Sequence, residues 1–180
     1  MRKLLLLATL FFIISCQENE KTQTIKIKNQ YSLDLPESLS LATNLNTDAS
    51  LQYQNVFDDL YVIVIDESKQ VINSYIDDNT DFPPNLNGYT QLLKSGLQTS
   101  VTNPIFSKTE KKQLNGSKSH QISLSGKVDD YEIYYEFAHI EGKNHYYQVF
   151  VWTSLEKKEK LSTKMKKIIN SFKELKSRGR

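Results

Sequence analysis

Three histidines, His120, His139 and His145, are the side chains of this sequence best suited to proton transfer or metal ligation. His139 and His145 bracket the segment Glu141-Gly142-Lys143-Asn144. That segment reads as a tight turn between two strands, so the two imidazoles are expected to approach each other. A zinc site needs a further ligand, and only Glu136 or Glu141 is offered nearby. The pair is the candidate centre of a metal-dependent hydrolase, set against a plainer account of strand-end histidines at a wet edge. Asp77-x-Asn79-x-Asp81 opens like a calcium loop, but Phe82 stands where that loop needs glycine and Gly88 where it needs a bidentate glutamate. His120 lies among Ser117, Ser119 and Ser123 without the Gly-x-Ser-x-Gly turn that exposes a nucleophilic serine. No glycine-rich phosphate loop occurs. Phe82-Pro83-Pro84 reads as a rigid loop, with a partner-binding tip as the alternative. Tyr134, Phe150 and Trp152 are candidates to line a small-ligand cleft, with ordinary core packing as the competing account. The expectation is no catalytic residue, no bound metal and no cofactor.

Cysteine chemistry has one place to occur, Cys16. Arg2 and Lys3 precede a run, 4–14, that is apolar apart from Thr9. This is roughly half of the ~20 apolar residues that cross a bilayer, and it falls within the roughly 7–15 of a secretory signal core. Ile13-Ile14-Ser15-Cys16 closes it with a small residue and then the cysteine. This resembles the lipobox of a bacterial lipoprotein signal peptide. The resemblance implies cleavage between Ser15 and Cys16, acylation of Cys16 with palmitate-like chains, and the membrane as a partner through that anchor. One acyl chain binds only marginally, whereas two or three hold a protein on the membrane. Gln17 stands where inner-membrane lipoproteins tend to carry aspartate, so the resemblance points to the outer membrane of the cell envelope. Lipidation of Cys16 leaves no thiol for a disulfide, a cysteine nucleophile or a thiolate metal site.

The 23 basic residues include Arg2 and Lys3, so the remainder carries 21 against 21 acidic residues, close to neutral. A nucleic-acid partner would want a clear basic excess. Residues 17–22 are polar and aperiodic. They read as a tether reaching at most about 20–25 Å, which would keep the domain near the membrane.

These residues are positioned by a strand-rich domain. Alternation at 25–27 and 31–35 reads as two strands, the second stopped by Pro36; 51–53 makes a third. The apolar run 60–65 suits a central strand covered on both faces. Val71, Ile72, Tyr75 and Ile76 share one face of a helix over 66–76, and 77–88 is a loop. Tyr89, Leu92, Leu93, Leu97 and Val101 make a second helix that Asn103-Pro104 ends. Asn115-Gly116 suits a two-residue turn between strands. Long strands follow over 131–140 and 145–153, their register open. A lysine-rich helix closes the domain, with Leu161, Met165, Ile168, Ile169, Phe172 and Leu175 as its apolar stripe. The expected organisation is a signal peptide over 1–15, the lipidated cysteine and tether over 16–23, and one domain over 24–177.

The order of these elements, with Tyr31 to Pro36 first, Tyr131 to Trp152 as aromatic strands and Ile168-Ile169-Asn170-Ser171-Phe172 at the close, resembles the PsbP-like family. The family's fold, shared with a nuclear Ran-binding protein, is an antiparallel β-sheet flanked by helices, an α+β sandwich. Its members bind different partners, so the resemblance carries no site. The expectation is a non-enzymatic binding or accessory module with an envelope protein partner; the alternatives are a small-ligand carrier or the histidine-based hydrolase.

Overall fold

A computed structural model describes residues 20–175 of the chain. The elements run β1 (Thr22–Ile27), β2 (Tyr31–Pro36), β3 (Ser40–Leu41), β4 (Ala49–Asn55), β5 (Leu60–Ser68), α1 (Lys69–Asn79), α2 (Leu86–Ser100), β6 (Thr102–Phe106), β7 (Glu110–Leu114), β8 (Ser117–Val128), β9 (Tyr131–Glu141), β10 (His145–Ser154), α3 (Lys158–Asn170) and β11 (Lys173–Glu174). Eight strands form one antiparallel sheet in the order β3-β4-β5-β10-β9-β8-β6, with β7 also paired to β8. The central strands are covered on both faces. One face buries Val62, Val64, Tyr134, Ala138, Tyr147, Val149 and Val151 against Leu161, Met165, Ile168 and Ile169 of α3. A second small sheet, β1-β2-β11, completes that layer through Tyr31, Leu33 and Leu35. The other face carries Ile63, Ile122, Leu124, Phe137 and Phe150, and the α1–α2 pair closes over its lower half around Ile76, Tyr89 and Tyr146.

Where the structure departs from the sequence reading, tertiary pairing is the reason. Thr22 and Gln23 belong to β1 rather than to the tether, because they lie opposite Pro36 and Leu35. Glu20 is already engaged, with Lys164 at 2.8 Å and Ser38 at 2.9 Å. The first two strands sit in the small sheet and not in the main one. β5 continues to Ser68 because Asp66, Glu67 and Ser68 pair with Tyr147, Tyr146 and His145. The first helix is therefore Lys69–Asn79, and only Ile72 and Ile76 of its expected stripe pack inward, while Val71 is 65 % exposed and Tyr75 49 %. Asn103-Pro104 lies inside edge strand β6 and not at a helix end. Proline is tolerated there because its missing N–H removes no ladder bond. Asn103 takes φ 51° where the register with β8 shifts. The Asn115-Gly116 turn forms as expected, with φ 48° and 98°. Leu175 does not extend the last helix, which ends at Asn170; the chain then turns into β11, and the Leu175 N–H donates to the Gln30 carbonyl at 2.7 Å.

Candidate functional site

Ser15 and Cys16 lie outside the described residues. The expected meeting of His139 and His145 does not occur. Pairing of β9 with β10 sets His139 opposite Gln148, three residues from His145. Side chains alternate along a strand, so an odd offset places the two imidazoles on opposite faces of the sheet. His145 lies beside Tyr147, toward α3, at 6.1 Å between ring centroids, whereas His139 packs against Phe137 and Tyr89 at 5.3 and 5.6 Å. The hydrolase centre proposed for this pair is removed by that register. Among the described residues no cluster of three or more His, Cys, Asp or Glu is placed to hold a metal.

The histidine that meets His139 is His120, its direct cross-strand neighbour on β8. Both Nδ1 atoms reach the hydroxyl of Thr90 on α2, at 2.9 Å from His120 and 3.2 Å from His139. The hydroxyl has one proton, so it donates to one imidazole and accepts from the other, which requires different tautomers at the two rings. His139 is fully buried, and its Nε2 has no partner among the described residues. Burial first, and then the charges of His120 and Lys94, push it down to about 3. His120 is also lowered, by burial and then by Lys111. His120 reaches the wall of a cleft of about 510 Å³ with Asn87, Lys111, Lys112, Lys118 and Glu141. Most charges there are paired, Lys112 with Glu110 at 2.6 Å, Lys118 with Glu141 at 3.6 Å and Glu141 with Lys69 at 2.8 Å, while Lys111 donates to Asn87 Oδ1 at 3.2 Å. The histidine pair is thus a neutral, structural crosslink between the sheet and α2. Ser117, Ser119 and Ser123 alternate with His120 along β8 and project from the other face.

The remaining candidates resolve by the same placement. Asp77 and Asn79 sit on α1, so no calcium loop exists around them. Gly88 lies on the first turn of α2, where a Cβ would fall 1.9 Å from the Pro83 carbonyl oxygen. Phe82 packs against the Tyr89 cluster instead of forming an exposed tip. Tyr134 points to the α3 face, where its hydroxyl donates to the buried Glu136 carboxylate. Burial raises Glu136 above the usual carboxylate range. Phe150 is buried.

Trp152 does line a cleft, of about 490 Å³, but with Tyr61 and Tyr135 rather than with Tyr134 and Phe150. The register puts Tyr61 of β5, Trp152 of β10 and Tyr135 of β9 in one row across three strands. Trp152 stacks on Tyr61 at 5.2 Å and 17°, and tilts toward Tyr135 at 5.9 Å and 41°. All three are half-buried. This row lies at the end of the sheet that α1 and α2 leave open. Three acidic residues rim it: Asp59 before β5, Asp129 in the β8–β9 turn and Glu156 after β10. Among the described residues that line the cleft, none is lysine or arginine. Asp59 accepts from the Ser154 N–H at 2.9 Å, and Ser154 Oγ is buried without a partner among the described residues. Burial, then the charge of Asp59, raises Tyr61; burial raises Tyr135; both phenols keep their protons well into alkaline conditions. The cleft offers aromatic rings, phenolic O–H groups and negative charge. Sequence reasoning missed Tyr61, Tyr135, Asp59 and Asp129, because the strand pairings that gather them join segments far apart in the chain.

The layers and strand order define an α+β domain of the PsbP/Mog1-like fold. No family model matches the sequence, and no curated protein matches it. Among solved structures, a cyanobacterial PsbP from Synechocystis sp. PCC 6803 superposes with a TM-score of 0.58 at 9 % identity, covering 90 % of this chain and 98 % of that one. LpqN of Mycobacterium tuberculosis, a protein involved in cell envelope biogenesis, gives 0.54 at 10 % identity over 87 % and 91 %. The Ran-binding protein Mog1p of Saccharomyces cerevisiae gives 0.54 at 9 % over 86 % and 95 %. At such identities the likeness is one of fold. Among the described residues no helix is long and apolar enough to cross a membrane.

Proposed function

We propose that this chain is a lipid-anchored binding module of the cell envelope, held at the outer membrane through Cys16, that acts by recognition and not by catalysis. The observation that carries this reading is the contrast between the two polar sites. The histidines are buried, neutral and committed to Thr90, whereas the Tyr61–Trp152–Tyr135 row is open to solvent at one end of the sheet. LpqN, which is similar in fold and is involved in cell envelope biogenesis, supports the same reading. The described chain begins against α3, where Glu20 pairs with Lys164 at 2.8 Å. Glu20 meets Ser38, Gln23 reaches the Leu39 carbonyl, and Ser40 pairs with Gln54 just before the β4–β5 turn that leads to Asp59. A short tether from Cys16 would hold the domain close to the membrane surface and whatever partner sits there.

The test is cell fractionation with mass spectrometry of the amino-terminal peptide. The wild-type protein is expected in the outer-membrane fraction with an acylated Cys16, and Cys16→Ala is expected to leave it. A membrane-bound Cys16→Ala protein, or an unmodified Cys16, would overturn the anchored part of the reading. A pull-down with the lipidated protein, beside Cys16→Ala and Trp152→Ala, then asks whether one specific partner depends on both anchor and cleft. The volume of the cleft, about 490 Å³, also suits a small molecule, so a carrier of small ligands is the second reading.

A further inference from the structure

We infer that the cleft beside the start of α2 is a phosphate-binding site, where His120 donates from Nε2 and Lys111 and Lys118 supply charge, for a phosphate group carried by a small soluble molecule or by a lipid headgroup. The site shares a face of the sheet with the Trp152 cleft but lies four residues further along β9, about 13 Å away. It is a second site, beyond the role proposed for that cleft.

The tautomers decide what His120 can do. The Thr90 hydroxyl gives its proton to one imidazole and receives one from the other. The contact to His120 is the shorter, 2.9 Å against 3.2 Å, which suits an O–H donor on that side and an N–H donor on the other. Burial agrees. His139 is fully buried and its Nε2 has no partner among the described residues. A proton there would be a buried donor with nothing to receive it, which folded proteins avoid. His139 therefore carries its proton on Nδ1 and donates to Thr90, and Thr90 donates to Nδ1 of His120. That leaves the His120 proton on Nε2, which has no partner among the described residues. Only 6 % of His120 stays exposed, and it forms part of the cleft wall. The charges that act on this ring, Lys111 and Glu141, belong to the same wall. The crosslink between sheet and helix thus ends in a fixed N–H donor at the cleft.

Positive charge surrounds that donor. Lys111 lies directly opposite His120 across the β7–β8 pair, and Lys118 is two residues away on β8, so the three side chains leave by one face. Lys111 has no carboxylate partner among the described residues and donates only to Asn87, at 3.2 Å. Lys118 meets Glu141 at 3.6 Å, and Glu141 is shared with Lys69 at 2.8 Å. Three lysines therefore stand against one carboxylate. The α2 helix begins in this wall with Asn85, whose side chain accepts from the N–H groups of Asn87 and Gly88. The helix consequently adds the field of its positive end rather than free donors. A carboxylate ligand is best received by the paired donors of arginine, and no arginine occurs among the described residues. Two lysines and one N–H, spread over two strands, suit the several acceptor oxygens and higher charge of a phosphate. The cleft volume, about 510 Å³, leaves room for the molecule that carries it.

Nitrogen-15 spectra of the imidazoles test the donor and the ligand together, since the chain has three histidines. The labelled full-length protein in a non-ionic maltoside detergent is expected to show His120 bare at Nδ1 and protonated at Nε2. Sodium phosphate at constant ionic strength should shift that Nε2 signal saturably. Lys111→Gln should weaken the response about tenfold. Lys160→Gln, on the exposed side of α3, should leave it unchanged. Glycerol 3-phosphate and vesicles of phosphatidic acid in phosphatidylcholine separate the two sources. A response to the first alone assigns a soluble ligand, and a response to the vesicles but not to phosphatidylcholine alone assigns a headgroup. A proton on Nδ1 of His120 would overturn the inference, because the cleft would then face a bare nitrogen that repels an anion. A shift linear in phosphate and matched by chloride would overturn it too, leaving only screening of surface lysines. So would silence toward all three phosphate probes, or a Lys111→Gln protein that binds as tightly as the wild type. None of these results bears on Cys16→Ala or Trp152→Ala, so the anchored module and this site stand or fall separately.

Discussion

Replacing His139 by phenylalanine should make the protein less sensitive to acid. His139 has no exposed surface, and the fold holds it neutral down to about pH 3, while the same imidazole in an unfolded chain takes up its proton near pH 6.5. Its folded value is depressed, so between those limits the unfolded state binds one proton more than the folded state. Stability then falls as pH falls below about 6.5, by about 1.4 kcal/mol per pH unit. Between pH 7 and pH 5 this one side chain is expected to cost the wild type about 2 kcal/mol. Phenylalanine suits the site, because the ring lies between Phe137 and Tyr89, and Thr90 keeps His120 as a partner at 2.9 Å. The substitution also removes an imidazole nitrogen that has no partner among the described residues. Lys94 and Lys111 stay in place, and His120 loses the neighbour it repels, so most remaining acid sensitivity is common to both proteins. Urea unfolding at pH 5, 6 and 7 measures the effect. The difference in unfolding free energy between the variant and the wild type should move by about 2 kcal/mol in the variant's favour from pH 7 to pH 5. Parallel pH profiles for the two proteins would refute the reasoning, since they would mean that His139 takes up its proton in the folded state.

Three further substitutions test α2, one of the two helices that close over the sheet. Gly96→Ala lies on an exposed stretch of α2 with no atom within 4 Å of the added Cβ, so thermal melting should show a gain of about 0.5–1 kcal/mol. Gly88→Ala puts a Cβ 1.9 Å from the Pro83 carbonyl oxygen, which is backbone and cannot yield cheaply; a loss of about 2 kcal/mol or more is expected in urea. Asn85→Ala removes the side-chain oxygen that accepts from Asn87 N–H at 2.8 Å and Gly88 N–H at 3.4 Å, and should cost about 1 kcal/mol in the same measurement.

Local pattern was enough for much of the fold. Alternation at Ile25 and Ile27 or at Leu33 and Leu35, and the Asn115-Gly116 pair, each depend on residues within a few positions, and each forms where expected. Two-residue β3 has too few residues to alternate and does not announce itself, and β7, Glu110-Lys111-Lys112-Gln113-Leu114, is polar along nearly its whole length and is legible only as the strand that the Asn115-Gly116 turn must join to the next. β7 exists because the turn at Asn115-Gly116 brings it back along β8. The start of α1 was misplaced for a related reason: Asp66, Glu67 and Ser68 look helical in isolation, but β10 extends far enough to pair with them.

The site was less legible than the fold because chemistry depends on parity, and parity depends on register. A turn of four residues between His139 and His145 invites the idea that they converge. With Gly142 N–H donating to the His145 carbonyl and Tyr146 set opposite Glu141, the two side chains necessarily leave by opposite faces. The same count moves Tyr134 away from Trp152 and puts Tyr135 beside it. Tyr61 arrives only because β5 pairs with β10, across a separation of some ninety residues that contains both α1 and α2. The rim then needs Asp59, Asp129 and Glu156, which come from three separate segments at one end of the sheet. No short window holds two aromatic members of the row, and no periodicity links them. A fold whose core residues are recognisable from spacing can therefore carry a binding surface that is not, because the row is assembled by strand order, and strand order is the property that local pattern leaves open.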